Sequence, residues 1–265
     1  MERENLIEKL KRAKELQNEA LFLTDFYQLP MSMVYILEGR ENEEVVFECF
    51  VRNIRAAVNP KMDIYIFGGE EAVHNYMSKI REILQNSREK VLERFLEINL
   101  TKVKQEEKRE EYEKRVRAAW KNIAVDFEYS VLKEGTPVYS SIPVFSYRGP
   151  RWIGQLIETM VNNIVNGKTG YNTLEKNGLL SQEEKGYFKL LTASLFDSDI
   201  EKVINDKNLE QFNNYYDTLV IRAKEYREST EKDIMEAAFR RSPGYFAGVT
   251  ATIAALENGW NGTSN

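Results

Sequence analysis

The residues of this chain whose types could do chemistry fall in short, separated stretches. "TDFYQL" (24–29) sets a carboxylate, Asp25, two residues from an aromatic hydroxyl, Tyr27, and "FVR" (50–52) ends on Arg52. A carboxylate, a phenol and a guanidinium at the edges of secondary structure are what one wall of a small-molecule site requires. Near the other end, "AFRRSPG" (238–244) carries Arg240 and Arg241 after a short apolar run, and "NGTSN" (261–265) supplies Thr263 and Ser264. Adjacent guanidinium groups suit a planar anion, because each can grip a carboxylate or phosphate with two prongs. Backbone amides and hydroxyls at a strand end would add further substrate contacts. Each stretch also has an ordinary account: Thr24 or Asp25 as the N-cap of a core helix, and paired arginines on a surface.

Other chemistries are excluded by what the chain lacks. It has neither GxxxxGK[ST] nor GxGxxG, so neither phosphate-cradling loop is present. One cysteine and one histidine cannot build a zinc site, and no metal-ligating set is expected. A Ser-His-Asp triad would have to use His74, in the helical run "EEAVHNYM", where a surface or core role is expected. Cys49 lies in the apolar run "VVFECFV" and reads as buried packing. With 37 basic and 42 acidic residues the net charge is −5, against bulk electrostatic binding of nucleic acid. No apolar run approaches the roughly 20 residues that span a bilayer, and the charged N-terminus lacks a signal peptide's apolar stretch. A soluble, cytoplasmic protein without nucleic-acid or membrane partners is expected.

The hydrophobic fraction of 42% supports a packed core, and the elements that position these residues follow from pattern. Residues 2–18 read as a charged helix, and a second helix follows "TDFY", with Pro30 starting it late or kinking it and Gly39 ending it. "EVVFECFVR" (44–52), "DIYIFGG" (63–69), "DFEYSVL" (126–132) and "IPVFSYRG" (142–149) read as strands, being rich in β-branched and aromatic residues. Residues 70–120 are helical, with a charge-dense solvated middle. "KEGTPVYSS" reads as a turn. "RWIGQLIETMVNNIVNG" places Leu156/Ile157, Met160/Val161 and Ile164/Val165 every four residues, the pattern of a core helix. Residues 168–213 are mixed polar helix and loop, 217–227 are helical, and the last stretch reads as strand, loop, helix and strand, the start of a parallel β/α barrel.

Together and in this order, "LTDFYQLPMSMVYILEGR", "VFECFVR", "IFGGEEAV", "YSVLKEGTPVYSSIPVFSYRGP", "QLIETMVNNIVN", "AAFRRSPG" and "NGTSN" resemble nicotinate phosphoribosyltransferase across residues 21–265. The resemblance implies an α/β protein of type II phosphoribosyltransferase-like fold: an α+β N-terminal domain packed on the beginning of an irregular β/α barrel. The expected division is a helical extension over 1–20, an N-terminal α/β domain with a helical insert over 21–150, and a helical segment with the first barrel elements over 151–265. It implies coupling of nicotinate to C1 of phosphoribosyl pyrophosphate, giving nicotinate mononucleotide and pyrophosphate in NAD salvage, with Mg²⁺ and with ATP as co-substrate. The implied partner is a second copy or a complementing chain, since one subunit's N-terminal segment completes its neighbour's pocket.

Carried over by residue, Tyr27 would touch the pyridine ring across the interface, Asp25 would order that segment, and Arg52 would bind a phosphate. Arg240 would sit at the carboxylate or ribose-phosphate side, supported by Arg241, so that Asp25 and Arg240 hold the catalytic positions. Thr263 and Ser264 would contact substrate, and a neutral serine there favours the anionic nicotinate over the amide. Where the family reads Phe-Gly this chain has Ala237-Ala238, so either Phe239 supplies the ring wall through a changed loop or that wall is lost. Residues 168–213 look like an insertion. Family members continue past the GTSN block through the barrel and its phosphorylated histidine, which His74 cannot replace in order. The expectation is one chain of a split or interrupted enzyme; the alternative is a degenerate, non-catalytic binding or interaction protein. A third reading, unrelated in class, is a helical interaction protein built around residues 85–120.

Overall fold

A computed structural model describes residues 16–51, 64–101 and 103–200. A 3-10 segment over Leu16–Phe22, kinked at Glu19, leads into helix α1, Gln28–Leu37. The capping expectation is corrected here. Tyr27 occupies the N-cap position and no side chain caps the helix. Thr24 and Asp25 stand in the turn before it, closed by Gln28 N–H donating to Asp25 O at 3.0 Å, and their side chains turn to a neighbouring helix instead. Pro30 neither delays nor kinks α1. It is the third helical residue, inside the first turn, where its missing N–H would have no partner anyway. Gly39 ends the helix as expected: at φ +71° it takes the left-handed conformation, with Arg40 N–H on Tyr35 O at 2.8 Å.

Strand β1 spans Glu44–Phe50 and β2 spans Ile64–Ile66. The helical stretch resolves into α2 (Glu70–Asn86), α3 (Arg88–Leu100) and α4 (Glu106–Trp120). Of α4 only Val116 and Trp120 are buried, as its dense charge predicts. Strands β3 (Glu128–Val131), β4 (Pro137–Tyr139) and β5 (Pro143–Pro150) follow. β4 lies inside the segment read as turn. Its residues pair with β2 antiparallel, Ile64 opposite Tyr139. The larger sheet runs β1-β5-β3, antiparallel throughout, with Phe47 opposite Tyr147 and Tyr147 opposite Tyr129.

Helix α5, Arg151–Lys176, is the axis of the packing, and α6 spans Gln182–Leu191. The four-residue apolar repeat buries Leu156, Ile157, Met160, Val161, Ile164 and Val165 along α5. Each contributes about 2 kcal/mol by leaving water. The helix packs against α1, α2 and strands β1, β2 and β5. Residues 168–176, read as the start of an insertion, are the unbroken end of α5. The aromatic centre is Trp120 and Trp152, 5.2 Å between ring centroids, with Trp152 Nε1–H donating to Ala124 O at 2.9 Å. The described residues thus form a mixed α/β unit of helices and small antiparallel sheets. No helix among them is long and apolar enough to cross a membrane.

Candidate functional site

The first half of α5 carries a polar stripe through its apolar surface. Gln155, Glu158 and Thr159, at i, i+3 and i+4, share one side of the helix, which faces the turn before α1. Thr159 Oγ1 is the hub of that turn. Thr24 Oγ1 and Asp25 N–H each lie 3.2 Å from it, and it lies 3.2 Å from Asp25 Oδ2. These contacts fix the approach of the chain into α1 and hold the Asp25 carboxylate beside the helix start.

Tyr27 follows at the start of α1 with its side chain partly open to solvent, 38% exposed, while Gln28 beside it is fully buried. Gln28 Nε2–H₂ donates to the Tyr27 hydroxyl at 3.0 Å and to Glu158 Oε2 at 2.9 Å. Gln28 Oε1 accepts from Gln155 Nε2, and Tyr35 OH donates to Gln155 Oε1 at 3.0 Å. Tyr35 is itself held under the Arg151 guanidinium, 5.2 Å from its ring centroid. Burial first, then the carboxylates of Glu158 and Asp25, push the Tyr27 phenol above its ordinary pKa. It is a neutral hydroxyl at physiological pH.

Glu158 also borders a half-open cleft of about 280 Å³ between β1, β5 and α5, lined by Phe47, Glu48, Cys49, Phe145 and Asn162 among others. Cys49 is buried there, and its thiol donates to Asn162 Oδ1 at 3.1 Å. Burial, and then the Glu158 charge, push that thiol up to about 12. A thiol kept protonated is a poor nucleophile, and packing is its role, as read. His74 pairs with Tyr129, Nδ1 to OH 2.9 Å, on the exposed side of α2.

Of the residues read as a site, the structure brings Asp25 and Tyr27 together, on Gln28, Glu158 and Thr159. Arg52, Phe239, Arg240, Arg241, Thr263 and Ser264 lie outside the described residues. Gln28, Tyr35, Gln155, Glu158 and Thr159 escaped the sequence reading. The signal available was the i, i+3, i+4 polar stripe of "QLIET" inside a helix otherwise counted as core. Among the described residues no group of three metal-binding side chains is placed to hold an ion. Asp25 and Glu158 each accept from protein donors, so they do not form a magnesium cradle. Magnesium held mainly by a substrate's phosphates would need no such cradle here.

The arrangement defines a class: a mixed α/β protein whose helix start presents a held, half-exposed tyrosine flanked by carboxylates. Comparison with known proteins gives that class a particular relative. A nicotinate phosphoribosyltransferase from Caenorhabditis elegans is 28% identical over 148 residues, which is 54% of this chain and 23% of the relative. Among solved structures, the crystal structure of human nicotinic acid phosphoribosyltransferase covers 60% of this chain and 29% of that one, at 19% identity and a TM-score of 0.40. No family model matches the chain. The sequence similarity points to nicotinate phosphoribosyltransferase at partial coverage, and the match spans about a quarter of the curated relative's length.

Proposed function

We propose that this chain is a nicotinate phosphoribosyltransferase-like protein that contributes Tyr27 and Asp25 to a site coupling nicotinate to phosphoribosyl pyrophosphate. The observation that carries the reading is Tyr27: an aromatic ring 38% exposed, yet tied through Gln28 to a buried network, is a preorganised surface for a flat heterocycle. The 148-residue similarity to a protein of that name supports it.

In this reading the described residues are the N-terminal α/β part of a type II phosphoribosyltransferase-like fold, packed on the beginning of an irregular β/α barrel. Breaking the C1–pyrophosphate bond leaves positive charge on ribose and negative charge on the leaving group. Arg52, Arg240 and Arg241 are the cations that would face the anionic groups, Phe239 a ring wall, and Thr263 and Ser264 neutral contacts to the carboxylate. Mg²⁺ and ATP would serve the phosphate chemistry, in the cytoplasm, in a homodimer or with a complementing chain.

The test is direct. The purified chain, alone and with any chain that copurifies with it, is given nicotinate, phosphoribosyl pyrophosphate, ATP and Mg²⁺, and nicotinate mononucleotide is measured by chromatography. Product in either assay supports the reading. Its absence in both, with no nicotinate binding, overturns it and leaves an interaction protein.

A further inference from the structure

One carboxylate sets the direction of every hydrogen bond that leads to Tyr27. An ionised Glu158 can only accept, so the Gln28 atom facing it at 2.9 Å has to be the amide nitrogen. The second proton of that nitrogen goes to the Tyr27 oxygen at 3.0 Å. Gln28 Oε1 is thereby turned to Gln155, which must offer its own Nε2. Gln155 Oε1 then faces Tyr35, whose hydroxyl must donate across 3.0 Å. The relay runs one way, from Tyr35 to Gln155 to Gln28, and ends on Glu158 and on the Tyr27 oxygen. Reversing it would leave Glu158 against a carbonyl oxygen, two acceptors without a proton between them, which a buried neighbour such as Gln28 does not tolerate.

Inside the protein, then, the Tyr27 oxygen is an acceptor. Among the described residues nothing takes its proton, and the side chain is partly open to solvent. We propose that Glu158 is a specificity-determining positioning residue: it locks the Gln28–Gln155 relay in one sense, so that Tyr27 meets its ligand as a hydrogen-bond donor. The ligand class follows from that polarity. A flat ring bearing a carboxylate or carbonyl oxygen, or an unprotonated ring nitrogen, matches it; an edge that offers only N–H groups or an ammonium does not. The inference rests on the reading of this site as one for nicotinate, whose carboxylate would be the matching acceptor. Burial, with the charges of Glu158 and Asp25, also holds the phenol protonated, as donation requires.

The test separates the relay from the ligand. Tyr27's titration is followed as the difference in tyrosinate absorbance between the unsubstituted chain and Tyr27→Phe, and nicotinate binding is measured by calorimetry. Glu158→Gln, neutral and free to present either end of its amide, is expected to lower the Tyr27 midpoint by several tenths of a pH unit. It should weaken nicotinate about threefold, and Tyr27→Phe about tenfold, the usual loss for one hydrogen bond. Glu158→Asp, which keeps the anion, should restore part of the midpoint. An unmoved midpoint in Glu158→Gln overturns the proposal whether or not nicotinate binds, and so does unchanged nicotinate binding in Tyr27→Phe. If the midpoint falls but no protein binds nicotinate, Glu158 still acts on the phenol and the nicotinate reading fails. Because Glu158 is exposed, its substitutions leave the core intact; thermal melts confirm that each variant is folded.

Discussion

Helix α5 is polar at both ends of its buried face, but the two ends do different things with that polarity. In its second half, Thr173 Oγ1 accepts from Ile66 N–H at 2.9 Å, and Thr169 Oγ1 accepts from Gly68 N–H at 3.2 Å. Asn172 Nδ2 donates to Phe67 O at 3.0 Å and to Glu134 Oε1 at 2.6 Å, while Glu134 Oε2 caps α2 through Gly69 N–H at 2.8 Å. Thr169, Thr173 and Asn172 there each reach backbone, satisfying groups of the segment that runs from a strand end to a helix start. In the first half Gln155 and Glu158 bond side chain to side chain, in a relay that reaches a phenol at the surface. The contrast separates scaffold from site on one helix. Polar groups that terminate on backbone complete the fold, whereas a satisfied side-chain relay that leads outward presents a group to something else.

The scaffold end should break first and hardest. Gly68 lets the end of β2 lie against α5, for a Cβ there would stand 2.7 Å from the Lys168 carbonyl carbon and oxygen. Backbone cannot yield as a side-chain tip can. Gly68→Ala is therefore expected to cost about 2–3 kcal/mol, a fall of roughly 5–10 °C in melting temperature. Thermal unfolding followed by circular dichroism measures it. A variant that melts like the unsubstituted chain would mean that this end of α5 is looser than its contacts imply.

The relay's buried link comes next. Gln28 is fully buried, and Gln28→Leu leaves the buried Gln155 Nε2 without its acceptor, while the exposed Glu158 turns to water. Stranded polar groups of this kind cost about 2 kcal/mol, measurable by urea denaturation. The same variant frees the Tyr27 oxygen, so its phenol should titrate differently from that of the unsubstituted chain, a change Gly68→Ala does not share.

A smaller effect reads the field between the two ends. Cys49 keeps its thiol proton to about pH 12 in the folded chain, whereas an unfolded cysteine releases it near pH 8.5. Between those values the unfolded state binds fewer protons than the folded one, so stability falls as pH rises. From pH 7 to pH 9 this amounts to about 0.8 kcal/mol. Cys49→Ala should remove that part of the alkaline loss, seen as a flatter difference between denaturation midpoints at the two pH values. Alkylation of Cys49 at pH 8 should be slow until denaturant is added.

These regions were unequally legible. The apolar four-residue repeat announced α5, and β-branched and aromatic runs announced β1 and β5, because burial imposes a period on sequence. β4 hid in "KEGTPVYSS", since a three-residue strand beginning at proline carries turn chemistry and little else. The N-cap reading failed because Thr24 and Asp25 are good caps that were taken by a tertiary partner, Thr159, which no local window contains. Asp25 and Tyr27 could be named from residue type. Glu158 could not, because a glutamate in an amphipathic helix reads as its wet side, and only the seating of α1 on α5 shows that it governs Gln28. Resemblance carried the sequence reading further than pattern did, and the remaining residues it named lie outside the described parts of the chain.

The smallest expected change in stability belongs to the residue with the largest expected role. Tyr27→Phe keeps the ring and removes only an oxygen that accepts one bond at a partly exposed position. Gln28 Nε2 keeps its bond to Glu158, and a water can take the place of the lost hydroxyl at this half-exposed position, so the cost should stay below about 0.5 kcal/mol, as at other surface positions. Gln28, one residue on, should lose several times as much. Adjacent residues with opposite outcomes, stability for Gln28 and nicotinate binding for Tyr27, would locate the boundary between scaffold and site at a single peptide bond. Equal losses of stability at both positions would instead make Tyr27 part of the core that Gln28 completes, with its exposure incidental.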